Sequence, residues 1–143
     1  MSANKVVKPS IPRTIWVLTG AAFIVALGYG LIAPVLPQFA GSFNVSMAAA
    51  GAVVSVFALA RLLGAPGAGV LVDKLGSRPI YLTGLSIVAV STFFVAFAQA
   101  YWQILALRFI AGFGSTMFTL SAQALIVRVT HPSIRGRANA LYA

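Results

Sequence analysis

The chain has 143 residues, 60% of them hydrophobic and 8% charged, at a mean hydropathy of +0.98. That is more apolar surface than a water-soluble core of this size can hide. There is no cysteine, Asp73 is the only acid and His131 the only imidazole, which excludes a disulfide framework, a Cys-based metal site and paired-carboxylate catalysis, and leaves a Ser-His-Asp arrangement a single Asp and a single His to draw on.

A membrane-crossing helix needs about 20 mostly apolar residues to span roughly 30 Å of hydrocarbon. Four stretches qualify: 15–39, 47–72, 79–98 and 101–127. The first follows Lys5, Lys8 and Arg13 as a secretory signal would, but it exceeds the apolar length of a signal peptide and three more spans follow, so it reads as retained. A fifth apolar helix begins near Arg137 and is too short to cross before Ala143. The expectation is an all-α membrane protein: a tail over 1–14, then four spans and the start of a fifth over 15–143.

The formal charge of +9 could mark a nucleic-acid surface, but its distribution argues otherwise. Eight of the ten basic residues fall in three short polar segments: Lys5, Lys8 and Arg13; Lys74 and Arg78; Arg128, Arg135 and Arg137. The segments 38–46 and 99–100 carry none. The positive-inside rule therefore expects a cytoplasmic N-terminus, a lipid bilayer as partner and no nucleic acid. Trp16 at the inner end of the first span, and Tyr101 and Trp102 at the outer start of the fourth, suit the headgroup level, which favours amphipathic rings.

Within the second span Ala60, Gly64 and Ala68 repeat every fourth position, a small-residue side that lets another helix come close. Pro66 in the same span removes one backbone hydrogen bond and predicts a kink. In the fourth span Arg108, Gly112, Ser115 and Thr119 fall within about 40° of one stripe, with Ile110, Phe113 and Met117 opposite. That pattern predicts a helix with one face to lipid and the other to protein or a wet cavity. Arg108 and Arg61 both fall inside apolar spans, where a charge must face the interior or find a partner, which makes each a candidate pathway or coupling residue. The alternative for each is snorkelling, or donation to neighbouring carbonyls.

Three motifs carry a family resemblance. Gly69-Val70-Leu71-Val72-Asp73-Lys74-Leu75-Gly76-Ser77-Arg78 resembles the loop motif G-x-x-x-D-[RK]-x-G-[RK]-[RK] of the major facilitator superfamily, with Ser77 in place of a base. Leu27-Gly28, followed by Pro34-Val35-Leu36-Pro37, is similar to the first-span pattern l-g-x-x-x-x-x-P-v-x-P of drug:proton antiporters. Ile104, Arg108, Gly112 and Gly114 resemble the fourth-span pattern of proton-coupled members, with Ala111 where a glutamine often stands, and Arg135-Gly136-Arg137-Ala138 is similar to the loop between the fourth and fifth helices. The resemblance implies a truncated N-terminal six-helix half of the major facilitator fold, completed by the missing remainder of the transporter. It also implies a latch role for Asp73, Lys74 and Arg78 between the two halves, and a place near the cavity for Arg108.

The leading functional expectation is a secondary active transporter of small molecules, a proton-coupled exporter of drugs or metabolites in the cell membrane, with no metal or other cofactor. No acid lies in any of the four spans, so a coupling carboxylate would have to come from elsewhere. Two alternatives stay open: a carrier for organic anions or metabolites in uptake or exchange, suited to two embedded arginines, and a membrane remnant that does not transport.

Overall fold

A computed structural model describes residues 11–142; Lys5 and Lys8 lie outside the described residues. Five α-helices follow one another: α1 (Arg13–Gly41), α2 (Met47–Leu75), α3 (Ser77–Val95), α4 (Tyr101–Val129) and α5 (Arg135–Tyr142), with a single 3-10 turn at Pro132–Ile134 before α5. The first four are long and apolar enough to cross a membrane. At 1.5 Å per residue, a helix as long as α1, α2 or α4, each of 29 residues, extends about 43 Å, past the hydrocarbon and into the headgroup level on either side.

The connections are short and chemically specified. Ser46 caps α2, its Oγ accepting from the Ala49 N–H at 3.2 Å, and Asn44 takes the left-handed conformation (φ 58°) that asparagine tolerates better than most residues. Between α2 and α3 the only non-helical residue is Gly76, at φ 90° and ψ 157°. Few residues other than glycine reach that region. Asp73 and Lys74 therefore belong to the last turn of α2, and Ser77 and Arg78 to the first turn of α3, so the motif expected as a loop is almost wholly helical. Helix α3 stops at Val95, and residues 96–98 are held by turn hydrogen bonds to Phe93, Phe94 and Val95. At the start of α4, Gln103 Oε1 accepts from the N–H groups of Gln99 (2.8 Å) and Ala100 (3.3 Å).

Helix α4 is the axis of the bundle, packed along its length against α2 on one side and α3 on the other. Glycines set both contacts. A Cβ built on Gly112 would lie 2.6 Å from the Phe57 carbonyl oxygen and from the Ala60 Cβ in α2; one on Gly84 in α3 would lie 2.5 Å from the Phe118 backbone nitrogen. Gly64 leaves room for the Phe113 ring, 2.8 Å from where its Cβ would be. The small-residue side of α2 is thus where α4 comes in, and backbone approach replaces side-chain interdigitation.

Two apolar clusters tie α1 to this core, one near each end. At one end Ile15 and Leu18 meet Tyr81, Phe118, Ala122 and Ile126. At the other, Leu36 and Ala40 meet Ala50, Val53, Val95 and Ile104. The middle of α1 carries exposed Phe23, Ile24, Leu27 and Leu31.

Changing Gly112 to Ala should lower the midpoint of thermal unfolding in detergent, because rigid backbone at Phe57 has to move. Gly28→Ala, where a new Cβ meets nothing within 4 Å, should leave it unchanged or slightly raised. Comparable losses in both variants would contradict the close α2–α4 contact.

Candidate functional site

The fourth-span stripe does not separate a lipid face from a polar one. Helix α4 is wedged between two neighbours, so Phe113 packs on Gly64 and the Met117 Cβ lies close to Gly84; only Ile110, 49% exposed, behaves as expected for the outward side. The two-faced reading fails because it took the apolar residues to meet lipid, whereas glycines on the adjoining helices admit them.

On the other side of α4, Arg108 is 3% exposed. Its guanidinium carbon lies 6.0 Å from the centroid of the Phe57 ring, and Phe57 is stacked on Tyr29 of α1 with centroids 5.5 Å apart and planes at 30°. A cation over an aromatic face gains about 0.5–2 kcal/mol. That offsets only part of the roughly 2.5–3.5 kcal/mol that burying an arginine mid-membrane costs by insertion scales. Nε and Nη2 are both buried, with no hydrogen-bond partner among the described residues.

The other residues of the stripe have separate settings. Ser115 and Thr119 are half-buried, and Thr119 Oγ1 donates to the Ser115 carbonyl at 2.8 Å, a bond within the helix that leaves its donor engaged. Gly112 and Gly114 face different helices, α2 and α3, and serve contact. Arg61 is exposed; its part in the bundle is its carbonyl, which accepts from Thr116 Oγ1 at 3.0 Å. Arg108 and Arg61 thus occupy opposite environments, one buried and one open.

Thr116, Phe57 and Tyr29 were not legible as site residues in the sequence. Thr116 follows Gly112 by four residues, and that spacing, set against Ala60 and Gly64, is the signal that would have found it. The two aromatics looked like ordinary apolar positions.

At the α2–α3 turn, Asp73, Lys74 and Arg78 are exposed, and no ion pair forms among the described residues. Gly69 is half-buried in α2 with no neighbour near its Cβ position. In α1, Gly28 is open, Pro34 is exposed and Pro37 half-buried; together the prolines deprive the Gly30 and Ala33 carbonyls of helical partners. His131 Nδ1 lies 2.9 Å from Ser133 Oγ and accepts from the Ser133 N–H, closing the turn before α5. Among the described residues no three His, Cys, Asp or Glu side chains gather as metal ligands would.

Four long apolar helices around a glycine-lined axis, with a charged turn at one end and a buried cation between helices, define a multi-pass α-helical membrane protein. The family model of the Major Facilitator Superfamily matches residues 18–143, and the chain belongs to that family of transporters. It is 32% identical over 118 residues to the quinolone resistance protein NorA of Staphylococcus aureus strain MRSA252, a match covering 82% of this chain and 30% of NorA. It is also 32% identical over 119 residues to the uncharacterized MFS-type transporter YceJ of Bacillus subtilis strain 168, covering 83% of this chain and 30% of YceJ. The match thus spans about 30% of the length of these curated relatives.

Replacing Thr116 by Val removes the hydroxyl that joins α4 to the Arg61 carbonyl while keeping shape. Interhelical bonds of this kind contribute about 0.6 kcal/mol on average in membrane bundles, so a destabilisation of that order is expected in reversible unfolding from mixed micelles. A neutral result would remove Thr116 from the α2–α4 contact.

Proposed function

We propose that these residues are part of a secondary active transporter that moves small molecules out of the cell in exchange for protons, drugs or metabolites being the cargo. Residues 15–143 belong, in this reading, to the N-terminal domain, 1–14 form a cytoplasmic tail, and the rest of a six-helix half and its partner half complete the protein in the cell membrane. Support for transport comes from the family. Support for efflux comes from similarity to NorA, whose name records quinolone resistance. The observation that carries the reading is Arg108, a buried cation on the central helix whose Nε and Nη2 have no hydrogen-bond partner among the described residues, placed where binding or release of a charge would be felt by α1, α2 and α4 together.

The Gly69–Arg78 segment acts as a cytoplasmic latch: its three charged side chains point outward at a turn that cannot lengthen, leaving them free to meet the other half of the protein in one access state. Arg61, Ser115 and Thr119 are secondary candidates, Arg61 because it is exposed on α2 and the two hydroxyls because they flank the same side of α4.

Orientation is testable directly, because the sequence has no cysteine. Ser42→Cys should react with an impermeant maleimide added outside intact cells, and Lys74→Cys only after the membrane is opened; the reverse pattern would invert the topology. For coupling, Arg108→Ala in the complete protein should reduce proton-driven efflux at least tenfold while membrane insertion stays normal. Undiminished efflux would remove Arg108 from the transport cycle.

A further inference from the structure

Four arginines stand round one corner of the bundle. The buried cluster that joins Ile15 of α1, Ile126 of α4 and Ala138 of α5 sets the place: Arg13 lies two residues from Ile15, Arg128 two from Ile126, and Arg135 and Arg137 three and one from Ala138. All four are exposed. Arg135 Nε donates to the Thr130 carbonyl at 3.4 Å, and no ion pair engages any of the four among the described residues. Asp73, the one acidic side chain of the sequence, belongs to the last turn of α2, next to Lys74. The corner made by α1, α4 and α5 therefore carries four positive charges and no acid.

Apolar side chains are exposed beside these charges. Trp16, 57% exposed, and Val17 lie about one helical turn from Arg13. Val127 and Val129 flank Arg128, and Leu141 is one turn beyond Arg137. Bases bordered in this way suit the headgroup level of a bilayer, where rings and side-chain stems lie among acyl chains while the charge meets phosphate. A soluble polyanion would leave the apolar border in water. Helix length puts the charges at the same depth: α1 and α4 extend about 43 Å against roughly 30 Å of hydrocarbon. Arg13 is the first residue of α1 and Arg128 the last but one of α4.

We infer that Arg13, Arg128, Arg135 and Arg137, with Trp16 beside them, form a binding surface for the phosphodiester headgroup of an anionic phospholipid such as phosphatidylglycerol. Guanidinium forks receive two phosphate oxygens side by side, and a cluster of four or more bases at the end of membrane helices attracts anionic lipid. The inference needs only that the chain spans a membrane and is independent of the transport reading. The free headgroup offers the same phosphodiester chemistry without acyl chains, and the experiment separates the two sources.

The test places the complete protein in phosphatidylcholine nanodiscs with a minor fraction of lipid brominated on its acyl chains, which quenches indole fluorescence on contact. Subtracting the signal of Trp16→Phe isolates the share that comes from Trp16. Brominated phosphatidylglycerol should be enriched at Trp16 at least about fivefold over brominated phosphatidylcholine, the factor that one base near an anionic surface contributes. Changing all four arginines to Gln should bring the two lipids level, and changing them to Lys should keep most of the enrichment. Soluble glycerophosphoglycerol should not displace the lipid. Equal quenching by the two lipids in the unaltered protein, an enrichment that survives the Gln variant, its loss in the Lys variant, or displacement by the free headgroup would each overturn the assignment. If the Gln variant does not insert, the comparison of lipids in the unaltered protein and the Lys variant decide the matter without it.

Discussion

The close approach of backbones along α4 is the constraint from which the rest follows. Lipid tails are as apolar as leucine side chains, so helices in a membrane gain little from hiding hydrocarbon and depend on tight contact and hydrogen bonds. Glycines at 64, 84, 112 and 114 supply that contact by letting α2 and α3 come within a few ångströms of α4. With α4 held on two sides, Arg108 is buried on its α2 side, beside Phe57. The glycines of the fourth span thus build the wall into which the cation is set.

The same constraint explains what could be read without a structure. Four long apolar runs and the basic segments between them follow from bilayer thickness and composition alone, and α2 and α4 begin at Met47 and Tyr101 where apolar runs begin in the sequence. The small-residue side of α2 was legible because its four-residue spacing has one structural use. The faces of α4 were not, since periodicity treats phenylalanine and methionine as outward residues and takes no account of a glycine on the next helix that makes room for them. Arg61 and Arg108 look alike in the sequence, each a lone base in an apolar run. They differ in structure because Arg61 leaves the α2–α4 contact while Arg108 faces Phe57, a distinction that depends on which helices adjoin.

The two regions singled out for function are built on different principles. The α2–α3 turn is held by local geometry: a single glycine in a conformation that few other residues reach, with charges exposed on both sides. The Arg108 region is held by tertiary packing, through Tyr29, Phe57 and α4, three elements distant in sequence. A local device tolerates change elsewhere in the bundle, whereas a packed cation registers any displacement of α1 or α2.

Helix α2 is fastened unevenly to its parallel neighbour. Tyr101 Oη donates to the Ala49 carbonyl at 2.5 Å near the start of both helices, and Thr116 donates to the Arg61 carbonyl midway. Beyond that point Pro66 leaves the Leu62 carbonyl without its helical donor, and Ala68 and Val72 are buried with no side-chain hydrogen bond from α4 to this part of α2 among the described residues. Directional bonds resist sliding and twisting; smooth apolar contact does so far less. The helix is therefore stiff where it is pinned and compliant below the proline, like a reed clamped at one end, and the compliant end is the one that carries the charged turn.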